Sequence, residues 1–298
     1  MRLGCSFLLI GAVGCAYDPT VDIETHDAVS FGGGVQSTAL ALLALSRDQR
    51  LLDVTGGRVP ELYIFADTGD EPADVMSNVE HIAGLIRESG AQFATVRHKA
   101  APLSDHIITA RRAEAPFYVA RTQRPGAVPL KRKCTSDFKV VPIHRELRRF
   151  FGINSRRRTH PHRVRQWLGI SHDEIQRTRI SQDRWCDLFY PLVHMGWRRG
   201  DCLRLIEAHE LTPVRSACRY CPFHSNREWA RLKAQPDEWA QIVAFERRLH
   251  GVYEHDSMSL DSRPYLHASR IPIDRVDFDG DQADMWDMDN ECAGLCGV

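Results

Sequence analysis

A cluster of three glycines between an apolar run and a helical stretch constrains this chain more than any other feature. The glycines are Gly32, Gly33 and Gly34; a short apolar run, residues 27–30, precedes them, and residues 37–52 follow with helical spacing. We therefore predict a strand, a tight turn and a helix. Backbone N–H groups free of side chains can approach phosphate oxygens closely, and a helix N-terminus adds donors and partial positive charge.

Two interpretations of this loop stay open: a phosphate-binding site, and a flexible strand–helix turn without a ligand. Ser37 and Thr38 lie in the first helical turn, where their hydroxyls can cap the helix or bind phosphate. The loop is neither a GxxxxGK[ST] phosphate loop nor a GxGxxG dinucleotide turn. The pattern therefore disfavours ordinary kinases and dehydrogenases.

Strand-like and helix-like segments alternate after the loop. Residues 61–67 and 91–98 are typical of strands, residues 73–89 between them have helical spacing, and residues 164–171 are strand-like again. Such alternation predicts an α/β fold in which a parallel sheet is sandwiched by helices.

Three regions are predicted along the 298 residues. We expect residues 1–25 to be an N-terminal extension or a misassigned start; an export signal is the alternative, but the apolar run is too short to span a bilayer. Residues 26–211 are predicted to form an α/β nucleotide domain, and residues 212–298 a helical region with cysteines and an acidic tail. We expect a cytoplasmic protein that does not bind membranes.

Charge is balanced overall and uneven locally. Lys+Arg and Asp+Glu both number 39, so whole-molecule charge gives no argument for nucleic-acid binding. Residues 111–165, however, carry sixteen Lys/Arg against three acids. This stretch is a solvated face or an anion-binding surface that could also contact nucleic acid. Lys139 within it, and Arg177 beyond it, are candidate ligands for phosphate or sulfate.

The cysteines suggest a sulfur-rich centre. Cys218 and Cys221 form a C-x-x-C turn, and Cys134 is the distant partner, next to three cationic residues that would lower thiol pKa values. Three alternatives remain: an iron–sulfur cluster, a structural zinc completed by His224, and a redox dithiol or unliganded cysteines.

Short motifs along nearly the whole chain resemble the phosphoadenylyl-sulfate (PAPS) reductase family of the adenine nucleotide α-hydrolase (PP-loop) superfamily. The glycine loop is similar to the family's SFGxQ variant of SGGxDS, with Gln36 where the reductases carry Gln and the ATP-splitting members carry Asp. Residues 66–71 (ADTGDE) resemble the DTG element. Further resemblances, in family order, lie in residues 133–142, 169–177, 190–201, 217–222 and 290–295.

The resemblance implies a Rossmann-like fold that binds an adenine nucleotide as substrate. It also implies a cluster, of the 4Fe-4S type, held by Cys134, Cys218 and Cys221; the family's tandem CC is here Lys133-Cys134, so the fourth ligand stays open. The implied nucleotide-binding residues are Ser30, Gly32, Gly33, Gly34, Gln36, Ser37, Thr38, Asp67, Thr68 and Gly69.

The same resemblance implies sulfur chemistry and leaves the reaction open. As an oxidoreductase, the protein would cleave adenylyl sulfate or its 3′-phosphate through attack by Cys292, with Arg177 and Lys139 holding the anion and a thioredoxin-like reductant releasing sulfite. As a transferase, it would split ATP with Mg²⁺ and adenylate a tRNA, DNA or small-molecule acceptor for thiolation. A non-catalytic nucleotide-binding module of a DNA-modification or defence assembly is the third possibility, and Cys292 with Cys296 could be an unremarkable pair.

Overall fold

The computed structural model describes residues 24–110, 115–121, 124–129, 133–154, 161–254 and 263–278. The strands are β1 (Glu24–Ser30), β2 (Leu62–Asp67), β3 (Gln92–Arg97), β4 (Tyr118–Arg121), β5 (Arg124–Pro129), β6 (His162–Leu168), β7 (Cys186–Phe189) and β8 (Pro264–Tyr265). The α-helices are α1 (Val35–Leu45), α2 (Gln49–Thr55), α3 (Ala73–Glu88), α4 (Leu103–Ala110), α5 (Val141–Phe150), α6 (Pro191–His194), α7 (Arg199–Ala208), α8 (Asn226–Lys233) and α9 (Pro236–Glu254).

The main sheet has five parallel strands in the order β3-β2-β1-β6-β7. The chain moves outward from β1 to β3 on one side and then returns to place β6 on the other side of β1. A crevice therefore opens beyond the carboxyl ends of β1 and β6, where α/β proteins of this topology bind ligands.

Helices cover both faces of this sheet, which confirms the predicted α/β sandwich. On one face α1, α3 and α7 share a core with Phe65 and Trp167. On the other face α5 packs Ile143 and Leu147 against Ile64 and other strand residues. All six residues of β2 are buried, as expected for a central strand with helices on both sides.

The predicted single helix over 37–52 is wrong in one respect, because the structure divides it into α1 and α2. Arg47 between them has a positive φ of 52°. Asp48 then caps α2 by accepting a hydrogen bond from the Arg50 N–H at 3.0 Å. An Asp that can cap a helix is a start signal inside an otherwise helical pattern.

A second core joins segments on either side of residue 211. It packs Phe117 and Phe138 together with Trp229, Phe245 and Leu249 of the C-terminal helices. A small antiparallel sheet, in the order β5-β4-β8, spans the same division. Within the described part of the chain, no helix combines the length and apolar character needed to cross a bilayer.

Candidate functional site

The glycine loop between β1 and α1 is packed so tightly that one of its positions requires glycine. Gly33 has φ +77°, and a Cβ there would lie 2.8 Å from Val79 Cγ2 and 3.3 Å from Val75 Cγ1. Both valines belong to α3, so the loop backbone presses directly on that helix. A side chain at this position would force the loop away from α3.

Hydrogen bonds fix the loop at the start of α1. Ser37 Oγ accepts from the Gly34 N–H and donates to the Gly34 carbonyl, both at 3.1 Å. Asn78 of α3 donates to the Gly33 carbonyl at 2.9 Å and to Thr38 Oγ1 at 3.0 Å. The Ser37 hydroxyl therefore acts as a cap, one of the two roles predicted for it, and Asn78 is a loop-positioning residue that the sequence did not single out.

Gln36 is fully buried, and both ends of its amide are bonded to other side chains. Its Nε2 donates to Glu174 Oε2 at 3.1 Å, and its Oε1 accepts from Arg199 Nη1 at 3.1 Å. Arg177 donates to the other oxygen of the same Glu174 carboxylate at 2.6 Å. The structure thus brings two predicted residues, Gln36 and Arg177, into one network with two residues that sequence reasoning gave no role.

The loop after β6 lies directly against the glycine loop. A Cβ on Gly169 would lie 2.7 Å from the Ser37 nitrogen and 2.9 Å from the Ser37 Cα, so this close approach also needs glycine. Ser171, two residues later, is within 3.4 Å of Gln36 Nε2. Together these contacts line the crevice between β1 and β6.

The loop after β2 is also organised by short polar contacts. Asp67 Oδ1 accepts from the Gly69 N–H at 2.7 Å, and its Oδ2 accepts from Arg97 Nε at 2.7 Å. Gly69 has φ +82°, and a Cβ there would lie 2.8 Å from Pro102. Asp67, predicted as a nucleotide ligand, is therefore held by protein groups at the carboxyl edge of the sheet.

Two buried carboxyl groups follow in the same loop. Glu71 accepts from the Thr68 N–H at 3.0 Å and from Thr68 Oγ1 at 2.9 Å, and Lys139 Nζ lies 4.0 Å from its Oε1. Burial raises the pKa of Glu71 to about 7, which the Lys139 charge opposes. Burial likewise raises the pKa of Asp70, which accepts two hydrogen bonds from Ser104.

The C-x-x-C turn lies against this β2 loop. The Arg219 N–H donates to the Asp70 carbonyl, and its guanidinium donates to the Glu71 carbonyl, both at 2.8 Å. Tyr220, the other residue between the two cysteines, stacks on Phe245 of α9 with ring centroids 4.3 Å apart. The turn is therefore bonded to the sheet edge on one side and packed into the second core on the other.

All three predicted cysteine ligands line one small pocket. Polar groups of the β2 loop and the Ser136–Val140 π-helical turn, Thr68 and Lys139, reach the same space. The lining residues are Thr68, Leu103, Ala115, Pro116, Cys134, Thr135, Lys139, Ala217, Cys218, Cys221 and Pro222.

The thiols influence one another. A hydrogen bond with Cys221, burial and the nearby Cys134 raise the pKa of Cys218, while Lys139 lowers it. Among the described residues, one group of three His, Cys or acidic side chains has all its ligand atoms within 4.8 Å of one another. That group is not these three cysteines. At least one of the three sulfur–sulfur distances is therefore longer than the separation of about 3.8 Å that a single zinc ion imposes with 2.3 Å bonds in tetrahedral geometry, whereas Cys218 and Cys221 are close enough to share a hydrogen bond. A cluster, which distributes its thiolates over several irons, tolerates wider spacing.

His224 is buried outside the lining of this pocket. Burial lowers its pKa to about 3, its Nε2 lies 3.1 Å from the Cys218 carbonyl oxygen, and its ring packs edge-on against Trp229. A neutral ring whose Nε2 is bonded to the Cys218 carbonyl supports the C-x-x-C turn, and its buried Nδ1 has no hydrogen-bond partner in the described part of the chain.

A groove of about 1060 Å³ adjoins the glycine loop at Val35 and Asn78. Its walls come from α3, α7, the start of α8 and residues 210–215. Four arginines and three acids contribute to it: Arg199, Arg215, Arg227 and Arg231, with Asp74, Glu210 and Glu228. Its volume is sufficient for a nucleotide-sized ligand.

The predicted site residues therefore fall into two neighbouring groups. Gln36, Ser37 and Arg177 belong to the glycine-loop network, whereas Thr68, Lys139 and the three cysteines surround the small pocket. Ser30 accepts a hydrogen bond from Gln166 at 2.6 Å inside the sheet. Cys292 and Cys296 lie outside the described residues, as do parts of the basic segment 111–165.

Sequence comparisons gave no match: neither a protein-family model nor any of the curated proteins matches this chain. Among solved structures, the chain is similar to phosphoadenylyl-sulfate (PAPS) reductase from Candida auris, determined as a phosphate complex. The similarity has a TM-score of 0.37 and 12% identity, and it covers 64% of this chain and 74% of that chain.

Proposed function

We propose that this protein is an enzyme that binds an adenine nucleotide at the glycine loop and performs sulfur chemistry on or with it. The observation that carries the proposal is the meeting of two glycine-dependent loops at the carboxyl ends of β1 and β6. Gly33 and Gly169 both stand where a side chain would collide, and both loops face the crevice at which such sheets bind ligands.

The charge of the site suits an anionic substrate. The first turn of α1, an 11-residue helix, presents backbone N–H groups at the loop. Arg177 and Arg199 flank the loop through the Gln36–Glu174 pair, and more arginines line the adjoining groove. Phosphates at the loop and the nucleoside in the groove would use both features.

Sulfur chemistry is supported by the cysteine pocket beside this site. Cys134, Cys218 and Cys221 converge with Lys139, whose positive charge offsets thiolate charge. Three thiols at one pocket support an iron–sulfur cluster, and a single zinc ion is the alternative. When bound, such a cluster would supply redox capacity or an open iron position near the nucleotide.

The first candidate reaction is reductive cleavage of adenylyl sulfate or its 3′-phosphate. The Cys292 thiolate attacks the sulfonate sulfur, the S–O bond to the adenosine phosphate breaks, and an enzyme thiosulfonate remains. A dithiol of a thioredoxin-like partner then attacks Cys292, releases sulfite and leaves as the disulfide. In this reaction Arg177 and Lys139 bind and orient the anion.

The second candidate is ATP-dependent thiolation, and the shared pocket of three cysteines favours it. The nucleotide would be ATP with Mg²⁺, and an acceptor carbonyl would attack the α-phosphorus and expel pyrophosphate. The acceptor could be tRNA, DNA or a small molecule, with the basic segment 111–165 contacting a nucleic acid.

A nucleotide panel on anaerobically purified protein tests the proposal. We expect calorimetric binding of at least one of ATP, adenylyl sulfate and 3′-phosphoadenylyl sulfate, and absorbance near 400 nm from a cluster. Sulfite release with thioredoxin that Cys292→Ser abolishes and Cys186→Ser retains would support reduction. Pyrophosphate release from ATP would support thiolation. No binding of any of the three nucleotides would refute the proposal.

A further inference from the structure

The amino ends of β1 and β6 bring two histidines and a carboxylate together, at the edge of the sheet opposite the glycine loop. Glu24 and His162 are direct partners across the parallel pairing of these strands. His26 follows Glu24 by two residues, so both side chains are on the same face of β1. The pairing thus places three metal-binding side chains on one patch of the sheet.

Their ligand atoms form a compact triangle. His26 Nε2 and His162 Nδ1 are 3.2 Å apart, and one oxygen of Glu24 lies 3.4 Å from His162 Nδ1 and 3.8 Å from His26 Nε2. Bonds of 2.0–2.1 Å in tetrahedral geometry separate ligand atoms by about 3.3 Å. The three atoms therefore occupy the spacing of one tetrahedral face around an ion such as zinc.

A second carboxylate orients one of the imidazoles. Glu61 Oε1 lies 3.3 Å from His26 Nδ1, so that nitrogen can donate its proton to Glu61 and leave the Nε2 lone pair facing the triangle. Metal-binding histidines are commonly held by such a carboxylate on the other ring nitrogen. Stacking on Phe151, with ring centroids 4.5 Å apart, further fixes the His26 ring.

The positive charge of Arg58 lies near the triangle but is bonded to other groups. Arg58 lines the same surface cavity, but its guanidinium donates to the buried Asp27 carboxylate and to the Thr25 carbonyl. Glu24 is 65% exposed and the cavity opens to solvent, so a metal ion and a water molecule can reach the triangle.

We propose that Glu24, His26 and His162 form a binding site for a zinc-like divalent cation, with Glu61 as its positioning residue and a fourth coordination position open to solvent. The bound ion would join the amino ends of β1 and β6. Because the seven residues of β1 separate it from the glycine loop, by about 20 Å at 3.3 Å per residue, this site is distinct from the nucleotide site.

Zinc titration of the full-length chain tests the proposal, in parallel on Cys218→Ser protein so that the cysteine pocket is scored separately. We expect His162→Ala to lose one equivalent of bound zinc in both backgrounds. Glu61→Gln should keep the equivalent but weaken its affinity about 10–100-fold. His209→Ala, which removes an exposed histidine outside the triangle, should bind zinc as the parent does.

Cobalt supplies a second readout. Co²⁺ at this site should give visible bands without sulfur-to-metal charge transfer, and His162→Ala should remove them while adenine-nucleotide binding is unchanged. Equal zinc stoichiometry and affinity in the parent, His162→Ala and Glu24→Gln would overturn the proposal. The exposed Glu24→Gln change keeps the test decisive if His162→Ala protein does not fold.

Discussion

The glycine loop and the cysteine pocket lie side by side, but different interactions determine their structures. The loop is one run of neighbouring residues whose shape is set by steric contacts, as at Gly33, and by hydrogen bonds between its own groups. The pocket collects thiols from two distant segments, and those thiols raise the pKa of Cys218. The loop is thus preorganised without its ligand, whereas the raised pKa of Cys218 means that this thiol would ionise more readily with a bound cation. Four substitutions test that contrast, with stability measured on metal-free protein and iron content measured after reconstitution.

The largest loss of stability is expected for Gly33→Ala. Left-handed backbone strain and the collision with Val79 together should lower the free energy of unfolding by about 2–5 kcal/mol. Adenylate affinity should fall at least about tenfold. Gly57→Ala is the matched control, because Gly57 has φ +78° with no atom within 4 Å of the new Cβ. It should lose only about 1–2 kcal/mol. Equal losses in urea unfolding would show that the loop is not sterically fixed.

Glu71→Gln should change how stability depends on pH. Because the folded-state pKa is raised from 4.5 to about 7, the folded protein holds this proton more tightly than the unfolded chain. The stabilisation is complete below pH 4.5 and is lost as pH rises through 7, on the order of 3 kcal/mol. Unfolding of the wild type should therefore show a component falling with pH over this range that Glu71→Gln lacks. Parallel pH profiles would contradict the buried setting of Glu71.

Ser37→Ala should lower the free energy of unfolding by about 1 kcal/mol, the usual contribution of a hydroxyl that caps a helix terminus. The change removes both hydrogen bonds between Ser37 Oγ and Gly34. Ser77→Ala, at an exposed position of α3, is the control and should stay within about 0.5 kcal/mol of wild type. Thermal unfolding of the two variants distinguishes them, and an unchanged Ser37→Ala midpoint would refute the capping role.

Cys218→Ala should have the smallest effect on stability, about 0.8 kcal/mol or less, and the largest on metal content. Iron per chain after anaerobic reconstitution should fall toward zero while adenylate affinity stays within about twofold. Cys186→Ala should instead lower stability and leave the iron content unchanged, because Cys186 is fully buried in the sheet, is bonded to Gln166 and is not among the pocket-lining residues. Full iron content in Cys218→Ala protein would remove Cys218 from the ligand set.

The sequence predicted what is local. Alternating segments located β1, β2, α3 and β3 within a few residues, and contiguous motifs marked the glycine loop and the C-x-x-C turn. The sequence could not show that Asp67 bonds to Arg97, because that contact depends on the direct pairing of these residues between β2 and β3. The sequence also could not show the hydrogen bond from Arg199 to Gln36, because these residues meet only when α7 packs beside α1.

Two predictions were incomplete because the local sequence gave a misleading signal. The helix predicted over 37–52 is interrupted at Arg47, although Asp48 had the side chain of a helix cap. The basic stretch 111–165 was predicted as a solvated or anion-binding surface, yet its described part includes α5, whose Ile143 and Leu147 complete the core under the sheet. Arginine-rich composition masked the apolar face of that helix.

The stacking of Tyr220 on Phe245 has a consequence for the sulfurs on either side of it. Since the ring between Cys218 and Cys221 stacks on α9, the position of their turn is tied to a helix that contributes no sulfur of its own. A displacement of α9 would therefore move the two thiols relative to the rest of the pocket. The geometry of the pocket therefore depends on the contact between Tyr220 and Phe245 as well as on the cysteines themselves.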